Sequence, residues 1–172
     1  MKSRNIGLVA ALVLAGVVVA QADTKDAWLT TKAKIALLTT DGVSATAVNV
    51  DTVDGQITIH GKVGTAAEKA KAEATIRQLD GVKDVKNLLQ VVPEEQKKLV
   101  DAKDSDVKDR VEASLKAAQT MDDIKVASVN KGVVLLSGKT ASLDQELLAI
   151  ERVYTVAGVR RVSSEIETVA NN

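Results

Sequence analysis

Three glycines recur at one fixed displacement: Gly55, Gly61 and Gly81 return as Gly132, Gly138 and Gly158, each 77 residues further on. A shared register of this kind marks a duplicated unit, so the fold must be completed within each copy and built twice. The neighbours keep the register. Lys62 follows Gly61 as Lys139 follows Gly138, Val82 follows Gly81 as Val159 follows Gly158, and Val85 maps onto Val162. Upstream of Gly55 the displacement falls to 76, placing Val48, Val50 and Val53 on Ile124, Val126 and Val129. A one-residue insertion in the turn of the second copy accounts for the change.

Each copy starts with a helical pattern. Trp28, Thr31, Ile35 and Leu38 in the first, and Val107, Val111, Leu115 and Ala118 in the second, fall at helical spacing and predict one apolar face each. A hairpin follows. Val48-Asn49-Val50 leads through Asp54-Gly55 into Ile57-Thr58-Ile59, and Asp-Gly supplies the positive φ angles of a two-residue turn. In the second copy Asn130-Lys131-Gly132 reads as a turn one residue longer, with its glycine in a bulge.

Capping-box spacing marks a second helix in both copies, through Thr65 with Glu68 and Ser142 with Gln145. Its apolar set is Ala70, Ala72, Ile76 and Leu79 in one copy and Leu147, Ala149, Val153 and Val156 in the other. Gly81 and Gly158 then suit left-handed helix caps. A closing strand runs through Val85, Leu89 and Val91, or through Val162 and Ile166. The predicted class is α+β: two αββαβ modules, each a three-stranded sheet with two helices on one face. With aromatic residues at 1% of the chain, both cores must be aliphatic.

Domain organisation reads as a signal peptide at 1–22, a first module at 23–92, a polar and partly helical linker at 93–105, and a second module at 106–172. The leader rests on Lys2 and Arg4, the apolar run Ile6 to Ala20, and the small-x-small site Ala20-Gln21-Ala22. That run is short for a membrane span, which needs about 20 apolar residues, and no later segment is long and apolar enough to cross. Without cysteine there is neither a disulfide nor a site for lipid attachment at a mature N-terminus. Loss of Lys2 and Arg4 leaves 21 basic against 23 acidic residues, a balance of −2. With no long basic block or aromatic-basic stripe, nucleic acid is not expected as a partner.

The pattern Val50-x4-Gly55-x-Ile57-x-Ile59-x-Gly61-Lys62-Val63, followed by Leu79-Asp80-Gly81-Val82-x2-Val85-x-Asn87-x-Leu89, resembles the BON domain. The second copy gives Val126-x5-Gly132-x-Val134-x-Leu136-x-Gly138, then Val156-x-Gly158-Val159-x2-Val162, departing where Asn87 is matched by Ser164. The resemblance covers nearly all of the mature chain. It implies a periplasmic protein without enzyme activity or cofactor that binds phospholipid or other envelope components and supports the envelope under osmotic stress. The alternative it implies is a chaperone for exported outer-membrane proteins.

Individual residues read mostly as structure. The six repeated glycines serve turns and caps. Lys62 and Lys139 are candidate headgroup contacts, although a solvated strand-end lysine explains each and one exposed cation adds only about 1 kcal/mol at an anionic membrane. His60, the single histidine, shares a strand face with Gln56 and Thr58 and reads as an exposed polar residue, with no cluster to make it a metal ligand. No nucleophile or catalytic constellation is present. On the face where the first copy has Gln56, Thr58 and His60, the second has Val133, Leu135 and Ser137. An apolar patch needs a cover. Val133 and Leu135 are therefore expected to meet either the first module or a lipid, client or partner, and the second copy is the first place to look.

Overall fold

The computed structural model describes residues 21–118 and 120–169. The first module runs from α1 (Gln21–Leu38) through a 3-10 turn at Ala45–Ala47 into β1 (Val48–Val53) and β2 (Gln56–Val63). It continues through α2 (Ala66–Arg77) and ends in β3 (Asp84–Asn87) and the short β4 (Gln90–Val91). The second repeats the order as α3 (Glu94–Lys116), β5 (Ile124–Asn130), β6 (Val133–Thr140), α4 (Leu143–Tyr154) and β7 (Arg161–Thr168). The middle strand pairs antiparallel with the one before it and parallel with the one after it, giving sheet orders β1-β2-β3 and β5-β6-β7. The leader assigned to residues 1–22 lies outside the described residues except for Gln21 and Ala22.

Helices cover one face of each sheet. In the first module Leu29, Ala33 and Leu37 of α1 and Ala72 and Ile76 of α2 pack on Val50, Ile57, Ile59 and Val63. The face expected for α1 is therefore wrong. Trp28, Ile35 and Leu38 are 68%, 55% and 66% exposed and form a second, outward stripe. The true core positions stand 78 residues before Val107, Val111 and Leu115, which do line the second core. Ala70 and Leu147 also point outward, leaving Ala72 with Ile76 and Ala149 with Val153 as the buried pairs.

The supposed linker is helix. From Glu94 to Lys116 there is no glycine or proline, and residues of good helical propensity carry α3 without a break from Pro93 into the second core. Both capping boxes form: Thr65 Oγ1 accepts from Glu68 N at 3.0 Å and Ser142 Oγ from Gln145 N at 3.3 Å. Glu68 turns back to accept from Ser44 N at 2.6 Å and Gly64 N at 2.9 Å. Burial pushes its carboxyl upward, but these donated bonds outweigh burial and hold it below the ordinary glutamate value.

The glycines do three different jobs. Asp54 (φ 51°) with Gly55 (φ 79°), and Lys131 (φ 50°) with Gly132 (φ 74°), form two-residue turns of equal length. The extra residue of the second copy is thus not in its turn; it is a bulge in β5, where the register shifts between Val126 and Ser128. Gly61 and Gly138 are neither turn nor cap residues. They lie within β2 and β6 at φ 133° and 129°, where a Cβ would collide with the carbonyls of Ala47 and Asp123. Gly81 and Gly158 fall beyond the helix caps, which are Gln78 and Thr155, and occupy the third position of turns closed by Val82 N to Leu79 O and Val159 N to Val156 O.

The faces without helices turn toward each other. Thr58, His60 and Leu88 of the first sheet and Leu135 and Ser163 of the second are 1%, 5%, 4%, 1% and 7% exposed, yet none belongs to either helix-covered core. Lys86 Nζ donates to Ser164 O at 3.2 Å and Lys131 Nζ to Val91 O at 3.2 Å, both across the junction. His60 is accordingly buried, contrary to its reading as exposed, because the second module covers its face. Its Nε2 lies 2.8 Å from Asp51 Oδ2.

Two substitution pairs test this packing by urea unfolding. Leu29→Ala is expected to cost roughly 2–4 kcal/mol and Trp28→Ala under about 0.5 kcal/mol; the reverse order would restore the rejected helix face. Gly61→Ala should cost roughly 2–4 kcal/mol, combining backbone strain with the Ala47 collision, while Gly64→Ala, whose Cβ comes no closer than 3.7 Å to Glu68 Oε2, should be near neutral. On the acid side, the depressed Glu68 carboxyl gives stability that is complete above the ordinary glutamate range and lost as pH falls through its folded value. Glu68→Gln should flatten that limb of a stability–pH curve.

Candidate functional site

At one end of each module the hairpin turn, the first helix and the loop before the last strand meet. Both central N–H groups of a two-residue turn of this type point outward and need acceptors. In the first module one carboxylate supplies both: Asp26 Oδ2 accepts from Asp54 N at 2.7 Å and Oδ1 from Gly55 N at 2.9 Å. Asp104 repeats the clamp on Lys131 N at 2.8 Å and Gly132 N at 2.9 Å. The turn carbonyls accept from Lys83 N at 2.9 Å and Arg160 N at 2.8 Å. Asp26 and Asp104 stand 78 residues apart, the displacement of the core helix positions, so aligning Leu29 with Val107 would have exposed them in the sequence.

A cleft opens beside each clamp. The first, about 540 Å³, is lined by Lys25, Asp26, Trp28, Leu29, Gly81 and Lys83 among others. The second, about 370 Å³, has Val100, Lys103, Asp106, Arg110 and Arg160 around Asp104. Trp28 in one is replaced by Asp106 in the other, so only the first offers an exposed indole beside two lysines. The second clamp is also tied to its neighbour. Lys62 Nζ, at the end of β2, lies 2.8 Å from Asp104 Oδ2 and 2.7 Å from Asp101 Oδ1. Burial alone would lower the Lys62 amine, but these two carboxylates outweigh it and hold it above the ordinary lysine value.

Among the described residues, exposed large apolar side chains group on two helices. On α1 the stripe Trp28, Ile35 and Leu38 runs away from the first cleft, with Lys25 and Lys34 exposed on the same helix. On α4, Leu143, Leu147, Leu148 and Tyr154 are 50–59% exposed, with Asp144 and Glu151 exposed among them. The matching positions of α2 are Ala66, Ala70, Lys71 and Arg77, so the fold does not require this second surface to be apolar.

The residues singled out in the sequence do not converge. Leu135 is buried on the face that meets the first module, and Val133 beside it is half-buried. Lys62 is engaged by Asp101 and Asp104, its side chain 14% exposed. Lys139 is the exposed one, 3.4 Å from Glu167. Asn87 and its counterpart Ser164 do the same work despite their difference. Asn87 Oδ1 accepts from Leu89 N at 3.1 Å while Nδ2 donates to Glu73 Oε2 at 2.8 Å. Ser164 Oγ accepts from Ile166 N at 3.2 Å and donates to Glu146 Oε1 at 2.7 Å. Among the described residues no group of three or more His, Cys, Asp or Glu could hold a metal ion, and no helix is long and apolar enough to cross a membrane.

Paired αββαβ modules, each a sheet with two helices on one face, define a tandem-module protein of the α+β class. The chain matches the BON domain over residues 25–93 and again over 103–170, and belongs to the BON-domain family. It is 30% identical over 154 residues to osmotically-inducible protein Y of Escherichia coli (strain K12), covering 83% of this chain and 72% of that one. Among solved structures it is similar to two of CdsD, a structural protein of the type III secretion system of Chlamydia trachomatis. The C-terminal domain gives 15% identity and a TM-score of 0.35, covering 84% of this chain and 67% of that one. The other gives 13% and 0.37, covering 84% and 93%.

The unequal clamps make a quantitative expectation. Asp26→Ala removes two bonds to backbone N–H groups, whereas Asp104→Ala also leaves Lys62 without one of its two carboxylates. Asp104→Ala should therefore be the more destabilising by roughly 1–3 kcal/mol in chemical denaturation; equal losses would show that the Lys62 contact contributes nothing.

Proposed function

We propose that this is a non-enzymatic periplasmic protein, exported through a cleaved leader, that contacts phospholipid surfaces and supports envelope integrity under osmotic or envelope stress. The observation that carries the reading is the outward stripe of α1: Trp28, Ile35 and Leu38 exposed together, with Lys25 and Lys34 on the same helix. An interfacial helix works in this way, sinking apolar side chains to the acyl boundary while cations meet anionic headgroups. Each fully buried large side chain contributes about 1.5–3 kcal/mol and each lysine near the surface about 1 kcal/mol. Binding of this size is reversible and suits a protein that samples the membrane. Membership of the BON family and similarity to a protein named for osmotic induction agree with it.

A second reading, chaperoning of exported outer-membrane proteins, is favoured by α4. Leu143, Leu147, Leu148 and Tyr154 form an apolar ridge whose Asp144 and Glu151 would be repelled by anionic lipid but would not deter an unfolded chain.

Because Trp28 is the single tryptophan, its emission reports contact directly. With vesicles containing anionic phospholipid, the mature protein should float and its emission shift to the blue. Trp28→Ala and Ile35→Asp should each weaken flotation by about tenfold or more, consistent with losing at least 1.4 kcal/mol. Absence of both flotation and spectral shift, together with suppression of client aggregation that Leu147→Asp abolishes, would replace the lipid reading with the chaperone reading.

A further inference from the structure

The junction between the modules contains a carboxylate that neither helix-covered core requires. Glu165 lies on β7 in the face turned toward the first module and accepts a hydrogen bond from the Thr58 hydroxyl of β2. The groups facing it come from three strands of the opposite sheet. Asp51 stands on β1, His60 on β2 and Lys86 on β3. Lys86 is also held to the second module through Ser164 O, and His60 Nε2 lies against Asp51. His60 Nδ1 is buried with no hydrogen-bond partner among the described residues. Beside this group is a cleft of about 450 Å³ between the modules, lined on one side by Thr30, Lys34 and Asp51 and on the other by Lys139, Glu165 and Glu167.

We propose that Glu165 makes the junction between the two modules proton-sensitive, with the sheets held face to face when its carboxyl is protonated and loosened when it is charged. The physical cause is desolvation. Closing the sheets takes Glu165 partly out of water, and a carboxylate brought into such a site resists ionisation. Burial is the largest influence raising its carboxyl above the ordinary glutamate value, and Asp51 adds to it. The Thr58 bond, Lys86 and His60 act in the opposite direction without overcoming the rise. When the modules separate, Glu165 returns to water and to ordinary acidity.

The sign follows from linkage. A carboxyl raised in the closed state binds its proton more tightly there, so closure gains stability below the ordinary glutamate range. That gain is lost as pH rises through the raised value. The closed-to-open ratio changes by about tenfold for each unit of difference between the two states. This runs opposite to the overall acid sensitivity conferred by Glu68, so the junction and the fold respond to pH in different directions. Opening would uncover Thr58, Leu88 and Leu135.

The chain has no cysteine, so Lys71→Cys on α2 and Glu151→Cys on α4, both exposed positions, can carry a pair of spin labels. Distance distributions of the full mature chain between pH 4 and pH 8 should show the short-distance population falling as pH rises. Glu165→Gln, uncharged throughout, should keep the short distance at every pH, with native circular dichroism confirming the fold. His60→Gln, which removes the neighbouring imidazole, should retain the pH response. A response that persists in Glu165→Gln, disappears in His60→Gln, or is absent from the parent would overturn the proposal.

Discussion

A three-stranded sheet with both helices on one side leaves its other face open. Two such sheets in one chain can cover those faces by packing them together. The rest of the structure is arranged around that packing. Thr58 and His60, polar residues that would be comfortable in water, are buried because Leu135 and Ser163 lie on the face turned toward them. The Lys62 contacts with Asp101 and Asp104 and the Lys86 contact with Ser164 fix the two sheets at their margins. Two modules of modest aliphatic cores thereby share a third buried layer, which increases the area removed from water per residue.

The shared layer also decides what is left for function. With the open faces used internally, the available apolar surfaces are on helices. The modules differ there because the fold imposes nothing. Core positions Ala72 and Ile76 are matched by Ala149 and Val153, whereas outward positions Ala66, Ala70 and Lys71 are matched by Leu143, Leu147 and Leu148. In the first helices Trp28 is matched by Asp106. Each module thus presents its apolar surface on a different helix, the first on α1 and the second on α4. On the reading proposed above, the lysine-flanked stripe would meet an anionic membrane and the acid-bearing ridge an apolar chain. One molecule can offer both.

Much of this was legible in the sequence. Repeat register, turn chemistry and capping residues gave the two αββαβ units, since those signals depend on local backbone demands. The face of α1 was not, because this helix has two apolar stripes and periodicity cannot say which is inside. Trp28, Ile35 and Leu38 have the larger side chains, but Leu29, Ala33 and Leu37 lie 78 residues before the second core. The bulge in β5 was misplaced into the turn for a related reason: an insertion count fixes the number of extra residues but not their position. Lys62 and His60 could not be located at all, since their partners belong to the other module or lie under it. Only the packing of one repeat on the other makes them buried.

The cover over the open faces can be measured with a single thiol. Thr58→Cys is a small change at a position 1% exposed, in a chain that has no other cysteine. Its rate of reaction with a bulky maleimide at acid pH should be slower than that of Lys71→Cys by about 100-fold or more, as expected when access requires an opening that costs at least about 2.7 kcal/mol. Reaction of Thr58→Cys at the rate of the exposed control, in a protein that retains its native circular dichroism, would contradict the face-to-face packing of the two sheets.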